Sequence, residues 1–180
     1  MGLDMFIFKH KRFEDATLSD VMAVDSYLEL VQYKKEHPEC KSTMEEWCGR
    51  SKPANNLIKF FGKDWTKDGG RSYEEVAYWR KANMVHKWFV EHVQDGEDDC
   101  DIHRELTRQD LLDLLGEVVV VLRDPTMAEK LLPTQPGFFF GEYEYDDYYL
   151  SKLYSTVEQI GRILVTTDWE NEALYYVSSW

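Results

Sequence analysis

Residues 75–93 read EVAYWRKANMVHKWFVEHV, and the change of period inside this stretch decides the fold. RSYEEVAYWR is rich in β-prone residues and predicts a strand ending near Arg80. ANMVHKWFVEHV predicts a helix: at about 100° per residue, Ala82, Val85, His86, Phe89 and Val93 share one face. Met84 and Trp88 fall off that face, so they need a second packing surface or a partner. At the corner sit Tyr78, Trp79, Arg80, Lys81 and Asn83. Cations just before a helix oppose its dipole, a local cost that suggests an anion held by bases and free helix N–H groups. Salt bridges to nearby carboxylates explain the same bases. His86 fits a hydrogen-bonded core histidine or a ligand contact.

Working outward, GLDMFIFKH predicts a first strand. Val21, Val24, Leu28 and Val31 step by three and four, predicting a helix that Pro38 ends. STMEEWCG reads as a short helix capped by Ser42 or Thr43 and stopped by Gly49. NNLIKFFG reads as a short strand, and KDWTKDGGR as a polar loop. After the acidic loop QDGEDDCD, IHREL is expected to be a brief strand. Thr107 caps a helix through Leu122, with Leu111, Leu114, Leu115, Val118 and Leu122 inward, although its VVVV run is β-prone. DPTMAEKLLP is a helical turn between prolines. Leu150, Leu153, Val157, Ile160 and Leu164 mark the most regular helix, and ALYYVSSW closes as a strand. Strands and helices do not alternate, so the expectation is an α+β fold: one domain over 1–180, with a small antiparallel sheet and several packed helices. The two terminal strands are expected in the same sheet.

TQPGFFFGEYEYDD is the most unusual loop. Pro133 and Pro136 restrict its backbone, Thr134 and Gln135 offer hydrogen bonds, and Phe138, Phe139, Phe140, Tyr143 and Tyr145 offer ring faces. Such a loop suits a planar polar ligand. It also suits an aromatic seal over the core, and the two are compatible if some phenylalanines turn inward and others outward. Joined to the corner, the candidate ligand-binding set is Tyr78, Trp79, Arg80, Lys81, Asn83, His86, Thr134, Gln135, Phe138, Phe139, Phe140 and Tyr145.

Charge and motifs narrow the chemistry. The 180 residues hold 21 bases and 34 acids, a net charge of −13, and residues 72–180 carry the whole imbalance. Such a field repels nucleic acid, so no direct nucleic-acid partner is expected. A basic protein surface suits it. Arg80 and Lys81 are the adjacent basic pair in residues 72–180, the place where the field could reverse. No phosphate-loop or dinucleotide fingerprint is present, and no zinc spacing. Asp98, Asp99, Cys100, Asp101 and His103 read as a solvated loop rather than a metal site. No catalytic residue, metal or cofactor is expected. The longest apolar run is five residues, Val118–Leu122, too short for a membrane span. Cys40, Cys48 and Cys100 form no disulfide framework, which points to a reducing cytoplasm.

Four segments, MGLDMFIFK, EVAYWRKANMVHKWFVEHVQDGEDDC, LLPTQPGFFFGEYEYDDYY and YYVSSW, resemble a widespread family of small phage and prophage proteins. Those proteins typically open with an MGLDMYL-like stretch, carry YWRKAN and GFFFG blocks, and close on an aromatic, Ser and Trp. The resemblance spans nearly the whole chain except residues 35–67. It implies a phage accessory protein in the host cytoplasm. The expected function is a non-enzymatic counter-defence factor that sequesters a nucleotide-derived small molecule. An acidic inhibitor blocking a host defence protein, or mimicking nucleic acid, is the alternative, and a nucleotide-processing enzyme the second. Monomer and oligomer are both open.

Overall fold

A computed structural model describes residues 2–13, 16–65 and 71–180. The chain has the expected α+β class. It divides into two compact units: residues 1–9 with 75–180, and residues 10–74.

The larger unit is built on a three-stranded antiparallel sheet of β1 (Asp4–Lys11), β2 (Glu74–Arg80) and β3 (Glu172–Ser179), in the order β2-β1-β3. The two terminal strands are therefore neighbours, as their sequences predict. Alternation sends Leu3, Met5, Ile7, Ala77, Trp79, Leu174 and Tyr176 into one core. Three helices supply the rest of it: α4 (Asn83–His92), α5 (Arg108–Arg123) and α7 (Asp147–Thr166). The outer edge of β2 is covered by α7, where Gln159 Oε1 accepts from Tyr78 N at 2.7 Å and Arg162 Nη2 donates to Val76 O at 2.9 Å. Those contacts remove an edge that would otherwise pair with another strand.

Helix α4 is buried nearly all round. Besides the expected face, Met84 and Trp88 also lie in the core, so the second surface they need is within the same unit. Helix α5 begins at a Thr107–Asp110 capping box. Leu111, Leu114, Val118 and Val121 are its buried stripe, and that spacing prevails over the β-propensity of the valine run. IHREL is not a strand. Its one ladder-like bond is Leu106 N to Leu174 O at 2.8 Å, and Thr107 starts the next helix before a strand can extend. Pro125–Met127 form a 3-10 turn leading into α6 (Ala128–Leu131).

The smaller unit holds α1 (Leu18–Glu36), α2 (Met44–Cys48) and α3 (Asn55–Asp64). Thr17–Asp20 and Thr43–Glu46 capping boxes start the first two, and Gly49, at φ 67°, ends α2 in the left-handed region. The segment NNLIKFFG, expected as a strand, is the helix α3. Leu57 and Phe61, one turn apart, meet Val21 and Val24 of α1, and that spacing selects the helix from an ambiguous apolar run. The buried Asp25 accepts from Ser72 N and Oγ at 2.9 and 2.6 Å; burial still pushes its carboxyl up. Of the expected polar loop, residues 66–70 lie outside the described residues. No helix among the described residues is long and apolar enough to cross a membrane.

Candidate functional site

The corner between β2 and α4 and the loop after α6 are joined by one side chain. Asn83 is fully buried at the first turn of α4. Its Nδ2 donates to Phe140 O at 3.2 Å and Glu142 O at 2.9 Å, and its Oδ1 accepts from Gln135 N at 3.1 Å. Both ends of the amide are thus committed to holding the loop. Thr134 adds Oγ1 to Tyr143 O at 3.2 Å, and the Tyr143 hydroxyl donates to Gly137 O at 3.0 Å. Thr134 N also donates to the Tyr145 hydroxyl at 3.4 Å.

The loop divides its three phenylalanines. Phe140 turns inward, edge-on to His86 at 5.4 Å and to Trp180 at 5.7 Å. Phe138 and Phe139 turn outward, 85% and 47% exposed, with ring centroids 4.2 Å apart. Phe139 takes a left-handed φ of 72°, and its carbonyl accepts from Leu3 N at 3.4 Å. Tyr143, Tyr145 and Tyr148 are also exposed.

Strand alternation separates the corner residues. Trp79 points into the core, its Nε1 donating to Thr156 Oγ1 at 3.0 Å. Tyr78 and Arg80 point the other way and converge on Asp4. The phenol donates at 2.5 Å, and the guanidinium reaches both carboxylate oxygens at 2.9 and 3.1 Å. Arg80 is therefore already paired. Lys81 adopts a left-handed φ of 55°, which turns the chain from strand to helix while its N donates to Leu3 O at 2.8 Å. Gly2 lets the two bases come close: a Cβ there would sit 3.3 Å from Arg80 Nη2 and 3.4 Å from Lys81 Cε.

His86, fully buried, is the centre of a polar chain that runs from Tyr176 in the core to Asp98 and Gln135 at the surface. Burial lowers its pKa, outweighing the pull of Asp98, so the ring is neutral at pH 7. Asp98 can only accept, so Nε2–H donates to Asp98 Oδ1 at 2.9 Å and Nδ1 accepts from the Tyr176 hydroxyl at 2.7 Å. Gln135 Nε2 donates to the second Asp98 oxygen at 2.6 Å. Burial pushes the Tyr176 hydroxyl far up, which keeps it a donor. With both ring nitrogens committed, this chain ties α4, the acidic loop and β3 together. A substrate would have to displace one of these partners to use the imidazole.

The twelve residues named from sequence thus sort by environment. Trp79, Asn83, His86 and Phe140 are buried with partners inside the fold. Tyr78 and Arg80 are engaged by Asp4. Thr134, Gln135 and Tyr145 shape the loop. Lys81 is half-buried, and Phe138 and Phe139 are exposed. Asp4, Asp98, Tyr176 and Trp180 complete the arrangement and carry no local sequence signal, apart from the alternation that points Tyr176 inward. In the acidic loop, donor atoms of Glu97, Asp99 and His103 lie within 4.8 Å of one another. Two carboxylates and an imidazole could hold a divalent transition-metal ion through three ligands. Asp99 Oδ1, however, already accepts from His103 Nε2 and Asp101 N, both at 2.9 Å. These bonds hold its carboxyl below the usual range. Comparison with protein-family models, curated proteins and solved structures finds no match to the chain.

Proposed function

We propose that this chain is a non-enzymatic binding protein that docks onto a basic surface of a protein partner through residues 138–148. The observation that carries this reading is the outward display of Phe138, Phe139, Tyr143, Tyr145 and Tyr148 among the exposed acids Glu142, Glu144, Asp146 and Asp147. Aromatic side chains supply the central contacts of many protein interfaces, and charge complementarity at the rim selects the partner. Residues 131–151 contain no Lys or Arg, so the loop carries one sign of charge. Its anchoring by Asn83 lowers the ordering cost of binding. The resemblance to phage proteins supports a host defence protein as that partner, and the net charge of −13 supports long-range attraction to a basic one.

A second reading, sequestration of a nucleotide-derived small molecule, is favoured by the convergence of Arg80 and Lys81 at Gly2, next to the bond from Leu3 N to the Phe139 carbonyl. Lys81 forms no ion pair among the described residues, so its charge is free for a phosphate. The two readings separate in one experiment. Tagged wild type, a Phe138→Ser/Phe139→Ser variant and a Lys81→Ala variant are used as bait in host lysate, and each is titrated calorimetrically with mono- and cyclic nucleotides. The docking reading expects a basic protein retained by wild type and Lys81→Ala, released by salt, and lost from the double variant. Nucleotide binding abolished by Lys81→Ala favours the second reading. If the double variant retains the same partners as wild type, the docking reading fails.

A further inference from the structure

The turn that ends α4 gathers four donor side chains from a short stretch of sequence. Gln94 N donates to Phe89 O at 3.1 Å, Gly96 N to Val90 O at 2.8 Å and Glu97 N to Gln94 O at 2.9 Å. Asp95 and Gly96 take left-handed φ values of 53° and 84°, which brings Glu97 back over Gln94. Asp99 is pinned from β3, where Ser178 Oγ donates to its carbonyl at 3.0 Å. Donor atoms of Glu97, Asp99 and His103 then lie within 4.8 Å of one another, the one such group among the described residues.

Three polar groups at a surface are not in themselves a site. Gln94 sets this group apart. It is 1% exposed, and its Oε1 is buried without a hydrogen-bond partner. The same amide lies against the cluster: Nε2 stands 3.4 Å from Asp99 Oδ1 and 3.5 Å from Asp99 O, at the limit of a hydrogen bond. A buried amide normally satisfies both its ends. A half-turn about the Cγ–Cδ bond exchanges the two atoms and puts Oε1 in the place of Nε2. There the oxygen faces two further oxygens, an arrangement that a cation makes favourable.

The separations suit a divalent transition-metal ion. With bonds of about 2.1 Å, such an ion sets neighbouring ligand atoms about 3.0 Å apart in an octahedron and about 3.4 Å apart in a tetrahedron. His103 Nε2 and Asp99 Oδ1 stand 2.9 Å apart, and the place for the Gln94 oxygen is 3.4 Å from Asp99 Oδ1. The imidazole selects against Mg²⁺ and Ca²⁺, which take oxygen ligands throughout.

We propose that Gln94, Glu97, Asp99 and His103 bind a divalent transition-metal ion of the zinc type, through the two carboxylates, His103 Nε2 and the Gln94 carbonyl oxygen turned toward them. In the bound state His103 carries its hydrogen on Nδ1, which leaves Nε2 free to ligate, and the ion takes the place of the hydrogen that now joins His103 to Asp99. Asp99 Oδ1 keeps the bond from Asp101 N at 2.9 Å, an outer contact that orients the carboxylate. The ion ties the end of α4 to the segment leading into α5, apart from the aromatic loop.

The test uses the full chain, reduced and stripped of metal by chelation. Co²⁺ is titrated calorimetrically while visible absorption is followed, with millimolar Mg²⁺ present to cover ordinary acidic surface. Expected are one ion per chain with about micromolar dissociation constant, ligand-field bands of oxygen and nitrogen ligation, and displacement by Zn²⁺. His103→Asn, Glu97→Gln and Gln94→Leu should each weaken binding at least tenfold. Glu97 is exposed, so Glu97→Gln keeps the proposal testable if a variant at the buried Gln94 folds poorly. Loss of binding to Mg²⁺ would mean unspecific carboxylates. A sulfur-to-cobalt charge-transfer band would mean that a cysteine holds the ion. Affinity unchanged in Glu97→Gln and His103→Asn would place the ion elsewhere, and affinity unchanged in Gln94→Leu would leave only a surface cluster. Each of these results, like the absence of binding, overturns the proposal.

Discussion

Asn83 holds Gln135 across 52 residues of sequence, its Oδ1 accepting the Gln135 amide hydrogen at 3.1 Å while its Nδ2 serves two further loop carbonyls. Asn83→Ala strips partners from three loop groups in a place where Asn83 is fully buried. The expected loss is about 3 kcal/mol of unfolding free energy. The Gln135 amide should also exchange with solvent faster than in the wild type. Urea titration and hydrogen exchange check the two effects, and a loss below about 1 kcal/mol would show that water replaces the asparagine without cost.

Adjacent phenylalanines should behave in opposite ways. Phe140→Ala empties a site between His86 and Trp180 and should cost about 3–5 kcal/mol. Phe138→Ala, at a position 85% exposed, should change stability by less than about 0.5 kcal/mol yet release the partner. Paired denaturation and binding measurements distinguish a docking residue from a core residue.

Acid should weaken the fold through His86. Burial holds its folded pKa below the ordinary 6.5, so between those two values the unfolded chain binds more protons. The contribution is whole above pH 6.5, declines as pH falls from there, and is gone below the lowered folded value. His86→Gln should flatten that part of the stability profile measured by urea midpoint from pH 8 to 5. An unchanged slope would contradict the assignment.

A second acid transition belongs to Asp110. Arg104 reaches its two oxygens at 2.7 and 2.8 Å, and the Thr107 hydroxyl and backbone N add bonds. Together these outweigh the effect of burial and bring the carboxyl down to about 2. Its stabilising contribution is present above the ordinary 3.8 and falls as pH drops from 3.8 through about 2. Asp110→Ala should remove this component and cost about 1 kcal/mol near neutral pH.

Gly141 has a φ of 103°, and a Cβ there would lie 3.0 Å from Lys81 Cβ and 3.2 Å from the Lys81 carbonyl oxygen. Gly141→Ala should therefore cost about 1–3 kcal/mol. Thermal unfolding checks it. A variant as stable as the wild type would show that the Lys81 backbone yields.

The fold was most legible where period and cap agree. Thr107 with its stripe of leucines, the spacing in α7, and the strand-to-helix change around Arg80 all use residues adjacent in sequence. NNLIKFFG misleads because its apolar pairs satisfy both periods, and only the α1 residues Val21 and Val24 favour the helical one. The candidate site was legible as a set of residue types. Its wiring was not, because each deciding bond joins distant positions. Asp4 takes Arg80 across 76 residues, and nothing near Arg80 in sequence announces it. Asp98 lies 12 residues from His86, in a loop whose abundance of carboxylates hides the one that matters.

The central place of β1 bears on how the protein is made. Leu3, Met5 and Ile7 are synthesised before both strands that flank them, β2 beginning at Glu74 and β3 at Glu172. At about 5–20 residues per second, synthesis leaves that apolar row without its β3 neighbour for roughly 10–30 s. Residues 10–74 carry clusters of their own and can collapse during the wait. The sheet therefore closes only after β3 has been made, and until then the apolar row of β1 is open to pairing elsewhere.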